Sequence, residues 1–187
     1  KNNIENLTNF VLDCSEDNLR ALLKVISKKG RITDFFDSAQ TLGIVINFAS
    51  NNEKTKIILE ALKNDLKNII KSGEDFGYAL RYLNEAQILA LCTAFKDNLK
   101  VIIKSEKDFD DAFRNLNEAQ KTVVLTALKD NLKNIIKSKK EFTSVFKLFK
   151  RSPKIKDDLE FSTIYSLLAN KQYDVIDLDY KLRDYPL

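Results

Sequence analysis

Three stretches decide how this chain folds: ALKNDLKNIIKS at 61–72, AFKDNLKVIIKS at 94–105 and ALKDNLKNIIKS at 127–138. Each begins 33 residues after the one before it. Ser72, Ser105 and Ser138 recur at the same interval, as do Phe76, Phe109 and Phe142, and LNEAQ stands at 83–87 and again at 116–120. The period is unbroken over about 51–149 and defines three copies, 51–83, 84–116 and 117–149. Self-similarity at this length marks a repeat architecture.

Each copy reads as two helices. Asn84 and Asn117 stand three residues before Gln87 and Gln120. That is the spacing of a capping box, in which each side chain satisfies an amide that the helix start leaves over. The helix so opened is expected to run about twenty residues, to Lys104 or Lys137. Ser72, Ser105 and Ser138 each stand three before an acid (Asp75, Asp108, Glu141), so a second, shorter helix starts at once. In the first long helix Ile58, Leu62, Leu66, Ile69 and Ile70 fall within roughly 120° at 100° per residue. In the short helices Phe76, Ala79, Leu80 and Leu83 form the inner stripe. Their counterparts are Phe109, Ala112, Phe113 and Leu116, then Phe142, Val145, Phe146 and Phe149. One hairpin cannot bury its own apolar face, so copies must stack. The expected fold is all-α, an α-solenoid of two-helix repeats.

Outside the copies the period loosens. Residues 1–50 read as an N-terminal helical cap: CSEDNLRALLKVISKKG is a capped helix ended by Gly30, and TDFFDSAQTLGIVINFAS is another. Residues 150–187 read as a C-terminal cap and tail, with Ser152–Pro153 opening a helix near 154–170. In 173–187, YDVIDLDYKLRDYPL, apolar Ile176, Leu178, Tyr180 and Leu182 alternate with polar residues. That period of two fits a segment lying extended on the stack or the start of a linker.

Composition agrees and excludes. The 187 residues include only four Gly and two Pro, too few breakers for a β-sandwich. With no His there is no imidazole base and no His-containing zinc site. Cys14 and Cys92 form no CxxC pair, and Cys92 falls where the other copies carry Leu59 and Leu125, the place of a small buried residue. Free thiols suit a reducing cytosol. There is no apolar run of membrane-spanning length and no signal peptide. There is also no Met, not even at position 1, so the chain is expected to be a segment of a longer protein.

No P-loop, G-x-S-x-G or metal-ligand cluster is present, and the acids of Asp110–Asp111 and Asp157–Asp158 would point about 100° apart on a helix. The chain is therefore expected to be non-catalytic, with no cofactor and no metal. The phrases LNEAQKTVVLTALKDNLKNIIKS and KDFDDAF resemble the helical-repeat regions of effectors that Legionella-type intracellular bacteria secrete by a type IV system. The resemblance covers about 51–149. It implies a virulence-associated module in the host cytoplasm with a protein partner, and it carries over no catalytic residues.

One surface stands out. Lys63, Lys67 and Lys71 in copy one, Lys96, Lys100 and Lys104 in copy two, and Lys129, Lys133 and Lys137 in copy three are each spaced by four. Such spacing places each trio on one stripe of a helix, with about 6 Å between neighbours. Stacking would set the nine into a basic array. The plain reading is a solvated face copied with the repeat, with Asp97 and Asp130 pairing Lys100 and Lys133 and the helix dipole favouring cations at this end. The functional reading draws on charge segregation: residues 121–156 hold eleven Lys or Arg against two acids, and 157–187 hold seven acids against three bases. Such a field attracts an acidic protein surface or an anionic lipid head group. Nucleic acid is disfavoured by a net charge of only +4 and by the absence of aromatic residues among the lysines. Three readings stay open: a module gripping a host protein or a neighbouring domain, a peripheral sensor of anionic lipid or phosphoinositide, and a structural spacer.

Overall fold

A computed structural model describes residues 2–135, and every regular element among them is helical. In chain order these are α1 (Asn2–Asp13), α2 (Glu16–Lys28), a 3-10 turn (Ile32–Asp34), α3 (Ala39–Asn47), α4 (Asn52–Leu62), α5 (Leu66–Ile69), α6 (Gly73–Leu80), α7 (Glu85–Ile102), α8 (Glu106–Phe113) and α9 (Glu118–Ile135). The short helix expected after Ser138, the C-terminal cap and the 173–187 tail lie outside the described residues.

Side chains start the helices, those of Ser72, Ser105, Asn84 and Asn117 where their spacing predicts. Ser15, Ser38, Asn51, Ser72 and Ser105 each accept a hydrogen bond from the amide three residues on, at 2.8–3.3 Å. Asn84 and Asn117 make full capping boxes: their Oδ1 atoms accept from the amides of Gln87 and Gln120 at 3.0 and 2.9 Å. Gln87 and Gln120 in turn accept from the amides of Asn84 and Asn117 at 3.1 and 3.0 Å. Each side chain meets an amide with no partner inside the helix, which is worth about 1 kcal/mol. At the other end of α2, Gly30 (φ 64°) ends the helix as expected. The Arg31 amide donates to Ile26 O and the Gly30 amide to Ser27 O, the paired bonds of a Schellman stop.

Helix packs on helix in two interleaved series, α2 on α4, α4 on α7 and α7 on α9, and α1 on α3, α3 on α6 and α6 on α8. The predicted apolar stripes form the core between them. Ile58, Leu62, Leu66, Ile69 and Ile70 are all buried, as are Phe76, Ala79, Leu80 and Leu83 and their copy-two counterparts. Phe76 lies against Phe95 within the α6–α7 hairpin, ring centroids 6.2 Å apart. Glycine sets how closely the short helices approach. A Cβ on Gly43 of α3 would collide with the carbonyl of Ala79 in α6, and one on Gly77 of α6 would lie 2.9 Å from the carbonyl of Ala112 in α8.

Three expectations need correction. The long helix of copy one is not continuous: α4 stops at Leu62 and α5 resumes at Leu66. Lys63 and Asp65 donate their amides three residues back, to Glu60 and Leu62, tightening the turn. Copy one carries Asn64 where copies two and three carry Asp97 and Asp130, so it lacks an acid three before the middle lysine to support the helix there. The long helix of copy two stops at Ile102, short of Lys104, because the carboxylate of Asp108 draws the Lys104 and Ser105 amides (3.1 and 3.0 Å) into the cap of the next helix. Finally, residues 33–50 form no single helix. The 3-10 turn and α3 are separate, with Ser38 as a fresh N-cap.

Candidate interaction surface

The long helices expose one side bearing two open grooves. The first, about 550 Å³, runs between α2 and α4, lined by Arg20, Leu23, Lys24 and Lys28 on one wall and Ile57, Glu60 and Ala61 on the other. The second, about 650 Å³, runs between α4 and α7. Leu59, Ala86, Ala90 and Ala94 supply its small apolar surface, and Lys56, Glu60, Lys63 and Asp97 its charged edges. Lining residues on α7 recur at three or four residues, as expected of one helix face. Glu60 borders both grooves, so they form one ridged surface. The α2–α4 groove is spanned by Arg20, which reaches Glu53 and Glu60 at 3.4 Å each. These pairs are exposed and contribute little stability.

Leu89 is 51% exposed beside the second groove. The lysine pattern gave no hint of it. A signal was nonetheless present: the corresponding positions 33 residues away are Lys56 and Thr122, so copy two alone sets an apolar side chain there.

The lysines are placed as follows. Lys63, Lys67, Lys71, Lys96 and Lys104 are exposed. Lys100 lies in α7 and Lys129 and Lys133 in α9, while Lys137 is outside the described residues. The single-stripe geometry holds for neither of the two trios that are fully described. Lys63 is at the end of α4, Lys67 in α5, and Lys71 beyond it, and Lys104 lies past the end of α7. The amides of Lys71 and Lys104 are held by Asp75 and Asp108 at 3.0 and 3.1 Å, which takes both residues off the helix and into the linking turn. Lys63 alone of the five lines a groove.

Chemically the surface offers apolar contact and paired charge. Cys92 is 2% exposed, and burial pushes its thiol up to about 12, so it is held as an uncharged core residue rather than a nucleophile. Tyr78 is raised by its hydrogen bond to Glu74 (3.1 Å) and by that carboxylate's charge. Among the described residues no three His, Cys, Asp or Glu side chains are grouped to hold a metal ion, and no helix is long and apolar enough to cross a membrane. Compared with family models, curated proteins and solved structures, the chain matches none.

Proposed function

We propose that the chain is a non-catalytic α-solenoid, with its 33-residue copies flanked by helical caps, that binds a protein partner through the long-helix face as a module of a secreted bacterial effector. The serial packing of long helix on long helix and short helix on short helix supports the solenoid. The observation that carries the binding reading is the α4–α7 groove, with its small apolar surface, charged edges of both signs and half-exposed Leu89. Apolar area at the centre with polar, charged groups at the rim is the composition of a protein interface. Affinity capture from host-cell lysate tests this with two baits, the natural chain and Leu89→Asp. One enriched protein is expected with the natural chain, falling about tenfold or more with the variant. No enrichment by the natural chain favours the structural spacer, and undiminished capture by Leu89→Asp removes the groove from the proposal.

The exposed Lys63, Lys67, Lys71, Lys96 and Lys104 support a second reading, a peripheral module for anionic lipid or phosphoinositide. Sedimentation with vesicles containing phosphatidylserine or phosphoinositide separates the two. The lipid reading requires binding that is lost when Lys63, Lys67 and Lys96 are changed to Glu, and pelleting that survives this reversal defeats it.

A further inference from the structure

The repeat lets each helix be compared with its counterparts, and in the first described hairpin, α1 and α2, the comparison fails. Ala79 of α6 and Ala112 of α8 meet the glycines of the preceding short helix and are 0% exposed, as is their counterpart Val45 in α3. Aligning buried Leu7 and Val11 with Leu42 and Ile46 makes Phe10 the matching residue of α1, and it is 36% exposed. The long helices repeat the contrast. Ile57 and Ala61 of α4 lie toward α2, and Ala90 and Ala94 of α7 lie toward α4. Counting from the N-caps Ser15 and Asn51, the α2 counterparts are Ala21, which is exposed, and Val25, 51% exposed. No described helix packs on this side of α1 and α2. The outward face of the hairpin therefore carries apolar side chains more exposed than their counterparts, which are buried at Val45, Ala79, Ala112 and Ile57 and half-buried at Ala61, Ala90 and Ala94. A solvated role would instead favour polar residues there, as at the atypical end of a repeat array.

We propose that this face is the contact between two copies of the chain, related by a two-fold axis that sets α2 antiparallel to α2 of its partner. The sequence of α2 is self-complementary in that arrangement. Ala21, Leu22 and Val25 fall within roughly 100° of one another around the helix. With the axis crossing near Leu22 and Leu23, the small Ala21 of one copy lies opposite the larger Val25 of the other. At the edge of the same stripe, exposed Asp17 and Lys28 lie about equally far from that centre, on nearly the same side. Each Asp17 then meets Lys28 of the second copy, twice by symmetry. Residue i meeting j while j meets i is the condition for a closed, isologous pair. Phe10 extends the apolar area from α1. The antiparallel helices also oppose their dipoles favourably.

Sedimentation equilibrium and light scattering on the natural chain test the proposal. A reversible dimer is expected, with a dissociation constant on the order of 10 µM for so small a face. Val25→Asp should weaken dimerisation at least tenfold while the helical circular dichroism and melting profile of the monomer stay as in the natural chain. Asp17→Lys alone and Lys28→Asp alone should each weaken the dimer, and the double change Asp17→Lys with Lys28→Asp should restore it. A chain that stays monomeric well above the expected constant overturns the proposal. So does a dimer indifferent to Val25→Asp, which places the contact elsewhere, or a double variant no better than either single one.

Discussion

Three residues past the N-caps of α4, α7 and α9 stands a buried polar side chain that joins neighbouring hairpins. Gln87 Nε2 donates to Ile46 O and Ala49 O at 2.8 and 3.4 Å, and Gln120 Nε2 donates to Arg81 O and Leu83 O at 3.3 and 3.0 Å. The same position in α4 is Lys54, 4% exposed, whose Nζ donates to Val11 O and Leu12 O at 2.8 and 3.0 Å. Each thus supplies a donor to carbonyls at the C-terminal end of a short helix, in the hairpin before its own. Lysine and glutamine share little except a terminal N–H, so the donor is what the position needs. Gln87→Leu should cost about 1–3 kcal/mol: Ala49 O loses this donor, Ile46 O is left with the Ala49 amide, and half a capping box is lost. Urea denaturation measures it. A change below about 0.5 kcal/mol would mean that these carbonyls need no side-chain donor and that the contact does not hold neighbouring hairpins together.

At the scale of the element, the close approach of α3 and α6 depends on Gly43. Gly43→Ala sets helix propensity, a gain of up to about 1 kcal/mol, against a collision with the backbone carbonyl of Ala79. A carbonyl inside a helix cannot swing aside as a flexible side chain would, and forcing a packed core apart costs about 1–3 kcal/mol. Collision wins, so thermal unfolding of Gly43→Ala should show a lower midpoint, and a raised one would show that the spacing is not fixed there. Nothing in the sequence announces this contact, because Gly43 and Ala79 belong to different hairpins. The starts and inner faces of helices were legible for the opposite reason. An Asn84–Gln87 box or a Phe76–Ala79–Leu80–Leu83 stripe is written within a few residues of itself. Helix ends were less legible. Lys104 continues the four-residue lysine rhythm, yet Asp108 captures its amide from beyond the helix. Leu89 was hidden by the repeat itself, since attention to what recurs passes over the one copy that differs.

For the molecule as a whole, serial packing implies that stability is distributed along the stack, as neighbouring hairpins support one another in turn. Helices α6 and α7 are packed from both directions, by α3 and α8 and by α4 and α9 respectively. The α1–α2 hairpin has described neighbours on one side only and leaves Phe10 and Val25 partly in water. Amide hydrogen exchange should therefore be slowest in α6 and α7 and faster by about tenfold or more in α1 and α2, where local opening breaks fewer contacts. Dilution sharpens the test. If two copies meet through α2, its amides become better protected as protein concentration rises, since association adds stability by mass action. The amides of α7, remote from that contact, should follow far less. Uniform exchange across α1 to α7 at every concentration would show a stack that opens as one cooperative unit, and would argue against both the gradient and the shared face.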